Sequence, residues 1–376
     1  RRAHCAASRD LSQRRPTVLA SWRSRATTTA ALLALIALAA CSGGSETATD
    51  ETTADTVAPA TTVAEATTTT TTLPPIVAPL TGLPVDAAIT RPALVVKIDN
   101  HPKARPQWGL NQADIVFEEN VEMLTRFAAV FHTTDSDPVG PIRSGRKQDV
   151  DLLESFNAPL FAWSGGNAEV TKLIRASTMV DLSHSSANNE GGYRRESSRS
   201  APHNLLADTS KLWTLAPEGA QPPQAQFIYR AADEAIPATA RETGGAKLTM
   251  DGVKVLWEWN ADFSRFVRSQ DDKPHVDIDD VRVNAANVVV LYVQYSKSGY
   301  SPVAKTKGSG EAWVFTAGKL FQGTWERDDA AKPFILKDTA GNPIKLTPGN
   351  TWVELTRVGK GISFLPGTDP TSFTYP

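Results

Sequence analysis

The run Leu94-Val95-Val96-Lys97-Ile98 is rich in β-branched residues and ends directly in the polar turn Asp99-Asn100-His101. Such a run predicts a β-strand. Outward from it, strand-like runs and segments with helical apolar spacing alternate, the strands at 114–117, 127–131 and 160–163 and the helices at 150–156 and 168–174. Because this alternation is typical of layered structures, we predict an α/β-like N-terminal domain with a mixed sheet over residues 79–240.

Beyond about Lys247 the pattern changes to short alternating strands separated by Gly, Asn and Asp turns. Ala317-Gly318, between two of these strands, fits a hairpin turn. The strands are predicted at 253–259, 288–295, 311–315, 320–325 and 351–356. We therefore predict a mostly antiparallel, β-rich C-terminal domain over residues 241–358, a weakly patterned tail over 359–376, and an α+β fold class for the whole chain.

The first 40 residues carry the features of an export signal. Arg23 and Arg25 precede the apolar run Ala30–Ala40, which has eleven residues and is short of the roughly 20 that span a bilayer. Small residues then lead into Cys41, and a cysteine directly after the cut is the acceptor pattern of bacterial lipoproteins. We predict a signal peptide with an upstream extension over residues 1–40, diacylation of Cys41, and a lipid anchor on the extracytoplasmic face of the cell membrane.

Cysteine usage and composition exclude several classes of function. The chain has only Cys5 and Cys41, so processing would leave no free thiol for catalysis, for thiolate zinc sites or for disulfides. With 39 basic and 41 acidic residues the chain shows no polyanion-binding signature, and nucleic acid is not an expected partner. Residues 42–75 are almost entirely Thr, Ala, Ser, Gly, Pro, Glu and Asp, and we predict a disordered Thr-rich linker over residues 41–78.

Two polar loops are candidates for anion binding. Residues 140–147 set Arg143, Arg146 and Lys147 among turn-forming residues ahead of a predicted helix, and residues 164–167 form a second strand-to-helix loop. Backbone amides at helix N-termini and guanidinium forks suit carboxylate or phosphate, although neither loop is a Walker A motif. Salt bridges to nearby carboxylates and plain turn geometry are the alternative interpretation. The predicted ligand-binding residues are Arg105, Arg126, Arg143, Ser144, Arg146, Gly165, Gly166 and Asn204.

Histidines and carboxylates of the same region are candidates for catalysis. Asp99 and His101 follow the first strand, strand alternation puts Glu118 on one face with Asp114, and His203 precedes Asn204. A structural turn and simple packing are the alternative for these residues. Ser144 lacks a nucleophile elbow and no metal-binding spacing is present, so we predict neither a metal site nor a cofactor. The candidate acid or base residues are Asp99, His101, Glu118 and His203.

Several motifs, taken in order, resemble the YerB-like bacterial lipoprotein family. They include Lys97–Gln107, Ala113–Glu118, Thr125–Phe127, Val139–Arg146 and Ala201–Leu205 in the first half, and Gly308–Ala312, Gly323–Trp325 and Pro348–Trp352 in the second. This family is catalogued as two consecutive domains of unknown function, family 3048. The resemblance implies a membrane-anchored, two-domain protein and supplies no activity.

Two hypotheses follow from these residues. The first is a surface-tethered lipoprotein that binds an anionic component of the cell envelope or cell wall through the arginine-rich loops. The second is a cell-envelope hydrolase or transferase that uses His101, His203 and neighbouring carboxylates. If these side chains meet in one cleft beside the arginines, the catalytic hypothesis gains support.

We expect Cys41→Ala to abolish both cleavage after Ala40 and lipid attachment, because the cysteine thiol is the predicted acceptor. Mass spectrometry of the N-terminal peptide and partition into a detergent phase measure the two effects. Cys5→Ala is the matched control, since that cysteine lies ahead of the predicted cut. A mature N-terminus at another residue, without lipid, would contradict the prediction.

Overall fold

A computed structural model of the chain describes residues 75–298 and 301–376. Cys41, the predicted signal peptide and most of the predicted linker lie outside the described residues. None of the helices in the described ranges is long and apolar enough to cross a membrane.

The first half of the described chain combines strands with short helices. Its strands are β1 (Leu94–Asp99), β2 (Ile115–Val121), β3 (Leu124–Phe131), β4 (Leu160–Ala162), β5 (Val180–Asp181), β6 (Arg194–Arg195), β7 (Leu205–Leu206) and β8 (Ile228–Tyr229). Its α-helices are α1 (Gln148–Leu153), α2 (Ala168–Arg175), α3 (His184–Ala187) and α4 (Thr209–Trp213), and short 3-10 helices span Pro102–Ala104 and Glu154–Phe156.

The second half is built from strands, with one 3-10 helix at Pro370–Ser372. The strands are β9 (Arg241–Glu242), β10 (Gly245–Met250), β11 (Val253–Asn260), β12 (Arg265–Gln270), β13 (Lys273–Pro274), β14 (Asn284–Ala285), β15 (Asn287–Val293), β16 (Tyr295–Ser298), β17 (Ser301–Ala304), β18 (Gly308–Thr316), β19 (Lys319–Arg327), β20 (Ile335–Asp338), β21 (Lys345–Leu346), β22 (Thr351–Arg357) and β23 (Gly361–Phe364).

The main sheet is mixed and runs in the order β20-β19-β18-β15-β22-β2-β3-β1-β4-β5. β1 is antiparallel to β3 and parallel to β4. From the second half, β22 lies parallel to both β2 and β15. Strands from the two halves of the chain therefore form one continuous sheet. The fold is sheet-rich, and the first predicted run, 94–98, lies near one end of this sheet.

A smaller antiparallel sheet, in the order β13-β12-β11-β10-β23, contributes to the core on one face of the main sheet. Val96, Trp257 and Trp352 are buried in this shared core. Val95 belongs to the core on the opposite face, together with buried residues of helices α1 and α2. Each fully buried aliphatic side chain of this kind stabilises the fold by roughly 1.5–3 kcal/mol. β23 lies within the predicted tail and pairs with β10, so part of that segment is an edge strand.

A buried ion pair joins the two sheets. Nη2 of Arg268, on β12, donates to both carboxylate oxygens of Glu118 on β2, at 2.8 and 2.7 Å. Glu354 lies opposite Glu118 in the register of β2 and β22, and its Oε1 accepts from Nε1 of Trp257 at 2.8 Å. Burial and the neighbouring charge of Glu118 raise the pKa of Glu354 well above its ordinary value. The cluster therefore combines the Arg268 cation with two buried glutamates, and burial favours the neutral form of Glu354.

A second buried network lies on the opposite face of the sheet. Nζ of Lys97 donates to Oε1 of Glu119 at 2.5 Å and to Oδ1 of Asp149 at 2.8 Å. Burial and the charge of Asp149 raise the pKa of Glu119 to about 7. Asp149 also accepts the backbone N–H of Arg146 at 2.6 Å, so this network holds the loop ahead of α1 against β1.

We expect Arg268→Met to lower the free energy of unfolding by about 3–5 kcal/mol, because it leaves the Glu118 carboxylate buried without a cation. Glu354→Gln is the matched control and should change stability far less, since burial and the charge of Glu118 already favour the neutral form of Glu354. Urea unfolding of both purified variants measures the difference. A loss below about 1 kcal/mol for Arg268→Met would show that the ion pair does not stabilise the fold.

The raised pKa of Glu119 predicts how the stability of the fold depends on pH. Because the folded-state pKa is raised from 4.5 to about 7, the stability that Glu119 contributes is present below about pH 4.5 and lost as the pH rises through 7. We therefore compare the free energies of unfolding of Glu119→Gln and the wild type. As the pH rises from acidic to alkaline, the difference should shift in favour of the variant by more than about 1 kcal/mol. Urea unfolding of Glu119→Gln and the wild type from acidic to alkaline pH tests this prediction, and Glu326→Gln on β19 is the control. A pH-independent difference would contradict the assignment.

Candidate functional site

Asp99 and the two candidate histidines meet at the end of β1. Nδ1 of His203 donates to Oδ2 of Asp99 at 2.7 Å, and Oδ1 of Asp99 accepts the backbone N–H of His101 at 3.0 Å. The two imidazole rings stack with centroids 4.1 Å apart and planes 15° apart. The turn that follows β1 thus serves two purposes. It closes through Asp99, as its composition indicated, and it also orients His203.

Three of the predicted arginines lie near one another, and together we call Arg126, Arg143 and Arg146 the arginine cluster. Nε of Arg143 lies 3.3 Å from Oδ2 of Asp99, without the alignment of a hydrogen bond. Nη1 of Arg126 donates to the backbone oxygen of Ser144 at 3.1 Å. Nη2 of Arg146 donates to Oε2 of Glu122 at 2.7 Å. Asp99 and Glu122 are the carboxylates that form salt bridges with the guanidinium groups of the cluster in the described structure.

The charges of the cluster act on one another. Burial, together with the positive charges of Arg146 and Arg143, lowers the pKa of Arg126 to about 10. Although burial alone would raise the pKa of Glu122, hydrogen bonds from Ser301 and Arg146 hold it below the ordinary value. Burial and the proximity of His203 lower the pKa of His101. The environment is therefore one in which positive charge is in excess.

The two predicted anion-binding loops converge. The backbone N–H of Gly145 donates to the oxygen of Gly165 at 3.1 Å, and the N–H of Ser164 donates to the oxygen of Arg143 at 3.0 Å. Between them lies a cavity of about 380 Å³. Its lining includes Glu122, Ser144, Arg146, Lys147, Gly166 and Asn167.

One glycine and two backbone amides of the predicted loops and the helices after them have roles within the protein. Gly165 has a φ of +100° and open space where a side chain would be, so its role is conformational. The N–H of Arg146 is taken by Asp149, and Oδ1 of Asn167 accepts the N–H of Val170 at 2.9 Å. These amides are already satisfied within the protein. The arginine side chains offer further donors, among them Nε of Arg143 and Nε of Arg146.

Three predicted residues have other partners. Glu118 is fully buried in the ion pair with Arg268, because strand alternation directs it to the face opposite Asp99. Arg105 donates to the side chain and backbone of Asn100 and to Asp271. Asn204 donates to the backbone oxygens of Glu196 and Arg199 and accepts from Arg195. No hydrogen bond joins Ser144 to His203 in the described structure, so these two residues do not form a nucleophile and base pair there.

The segment 183–200 is held beside the site by Arg199. Arg199 donates to the backbone oxygens of Ala104 and Pro106, both at 2.8 Å, and its guanidinium lies 4.3 Å from the ring centroid of Trp108. Arg199 thus ties the chain ahead of His203 to the segment that follows His101. Within residues 75–298 and 301–376, no group of three or more His, Cys, Asp or Glu side chains is placed to hold a metal ion.

Sequence reasoning missed the residues that support the site from behind. Lys97 stands alone in a β-branched run, and a single charge in such a strand is a signal that a buried partner exists. Its partners, Glu119 and Asp149, lie 22 and 52 positions away in sequence. The hydrogen bonds of Arg199 are to backbone oxygens, which no sequence pattern reports.

Comparison with known proteins gives a consistent result. The family described as protein of unknown function (DUF3048) matches with its N-terminal domain over residues 80–222 and with its C-terminal domain over residues 246–353. The Bacillus subtilis (strain 168) protein named "Putative lipoprotein YerB" is 27% identical over 290 residues, which is 74% of this chain and 85% of the relative.

A solved structure has the same fold. The crystal structure of YerB protein from Bacillus subtilis matches with a TM-score of 0.68 and 21% sequence identity, over 77% of this chain and 99% of that chain. The two domain matches follow each other in the order that the motifs of this chain predicted. The chain therefore belongs to the DUF3048 family, whose two domains are both described as of unknown function.

Proposed function

We propose that this protein is a membrane-anchored lipoprotein of the extracytoplasmic face, and that its arginine cluster binds an anionic ligand of the cell envelope. The observation that carries the proposal is the set of unused donors in the cluster. Nε of Arg143 and Nε of Arg146 are buried and have no hydrogen-bond partner among the described residues. An unpaired buried donor costs about 1–3 kcal/mol, and an anion that accepts from it removes this cost.

The balance of charge supports the same proposal. Three guanidinium groups face the two carboxylates of Asp99 and Glu122, and burial of Arg126 increases their mutual repulsion. A bound phosphate or carboxylate would supply the missing negative charge and accept several N–H groups at once. The cavity of about 380 Å³ beside Ser144 and Arg146 provides space for such a group.

Membrane anchoring is supported by different residues. Cys41 follows a short apolar run and small residues, and the Bacillus subtilis relative is named as a lipoprotein. The Thr-rich stretch after Cys41 would carry the folded part away from the membrane surface. The ligands within its reach are the charged polymers and headgroups of the envelope, to which a positively charged site is suited.

We expect Arg143→Ala combined with Arg146→Ala to weaken binding of inorganic phosphate by at least about tenfold, because each charged hydrogen bond contributes roughly 1.5–3 kcal/mol. Isothermal titration calorimetry measures the Kd, and retention on isolated cell-wall fractions should fall in parallel. In the wild type, rising salt should weaken both.

Arg175→Ala combined with Arg241→Ala is the matched control, since it removes the same charge from two solvent-facing arginines outside the cluster. This pair should bind phosphate as the wild type does. Equal retention of the Arg143/Arg146 variant and the wild type would rule out the arginine cluster as the binding site.

A further inference from the structure

We propose that the site also hydrolyses its ligand, with His203 as the general base in the hydrolysis of a phosphodiester. This inference rests on the proposed function, because the arginine cluster must first bind the phosphate. Its own basis is the geometry of His203. Nδ1 donates to Asp99 at 2.7 Å, which fixes the tautomer and leaves the lone pair on Nε2.

Nε2 of His203 is available for proton transfer. Among the described residues it has no hydrogen-bond partner, and the side chain keeps 12% of its surface exposed. A histidine that serves only to pack or to close a turn would have no need of a buried carboxylate on one nitrogen and an open second nitrogen. This is the arrangement in which a carboxylate orients an imidazole as a base.

The orientation of the ring is fixed from several directions. His101 stacks on one face at 4.1 Å, and the backbone N–H of His203 donates to the oxygen of Ser200 at 3.0 Å. Arg199 then fastens this segment to the backbone of Ala104 and Pro106. The preceding chain and the stacked ring thus hold the imidazole in one place, as a positioned base requires.

The base and the anion-binding donors share one carboxylate. Oδ2 of Asp99 accepts from His203 and lies 3.3 Å from Nε of Arg143. A phosphate that accepts from Arg143 would therefore lie near the pair of His203 and Asp99. Several guanidinium groups around one anion match a phosphoryl group, whose negative charge is spread over several oxygens, better than a carboxylic ester, which develops a single oxyanion.

The reaction consumes one water. Nε2 of His203 takes a proton from the water as its oxygen forms a bond to phosphorus, and the arginine cluster stabilises the charge on the phosphoryl oxygens. The bond from phosphorus to the leaving oxygen breaks, and the leaving oxygen receives the proton from Nε2. The products are a phosphate monoester and an alcohol, and His203 returns to its neutral form.

The test uses the full chain and bis(4-nitrophenyl) phosphate, with release of 4-nitrophenol as the readout. We expect His203→Gln to lower kcat by about 10²–10⁴-fold, the usual contribution of a general base. Asp99→Asn should lower kcat at least tenfold, since it removes the carboxylate that sets the tautomer of His203. Both variants should bind inorganic phosphate within about threefold of the wild type or more tightly, because neither removes an arginine.

His184→Gln is the matched control. His184 stacks edge-on against Tyr193 and takes no part in the site, so this variant should keep the wild-type rate. If the wild type releases 4-nitrophenol no faster than His203→Gln does, the hydrolytic inference is overturned. In that case, phosphate binding that depends on Arg143 and Arg146 would still support the proposed function. If His203→Gln does not fold, Asp99→Asn tests the same inference. A lower kcat with an unchanged Kd for phosphate would support it, and an unchanged kcat would contradict it.

Discussion

Arg268 carries a charge in the core between the two sheets, and the position of the candidate site depends on that charge. Its guanidinium binds Glu118 and also Gln270 at 2.7 Å, whose Oε1 accepts from Asn100 at 3.0 Å. His275 contacts Arg268 at 2.7 Å and Gln107 at 3.0 Å, and Gln107 donates to the backbone oxygen of Asp99. The turn that orients His203 is thus held from behind by the smaller sheet. An unpaired charge at this depth would cost several kcal/mol, so the two sheets must pack in the way that keeps Arg268 paired. The turn is hydrogen-bonded to the same network, and its geometry therefore depends on that packing.

The opposite face of the main sheet supports the arginine cluster in a different way. Lys97 neutralises only part of the charge of Glu119 and Asp149, and burial raises the pKa of Glu119 to about 7. Asp149 uses its remaining oxygen to accept the N–H of Arg146. The site therefore lies where two buried polar networks reach the end of β1 from opposite faces. One network positions the histidine turn, and the other positions the loop that carries Arg146.

Much of the local structure could be predicted from the sequence, because short-range patterns determine it. The strand at 94–98 follows from its β-branched run, and the loops at 140–147 and 164–167 follow from turn-forming residues ahead of helical patterns. Pairing between distant segments could not be predicted in this way. Nothing local to Glu118 indicates that Arg268 is its partner 150 positions away, and alternation alone suits a catalytic and a structural glutamate equally. The strand β23 was missed because it consists of only four residues, one of them glycine.

Asp99 explains how one small site can combine anion binding with a positioned base. A carboxylate that formed a bidentate pair with Arg143 would occupy N–H groups of the guanidinium that could otherwise donate to a ligand. Here the contact to Arg143 is long, at 3.3 Å and out of hydrogen-bond alignment, whereas the contact to His203 is short, at 2.7 Å. Asp99 thus offsets the charge of the arginine without accepting from its Nε, and it accepts a hydrogen bond from the imidazole of His203. Because the two roles use different properties of one carboxylate, charge for Arg143 and acceptor geometry for His203, both can operate at the same time.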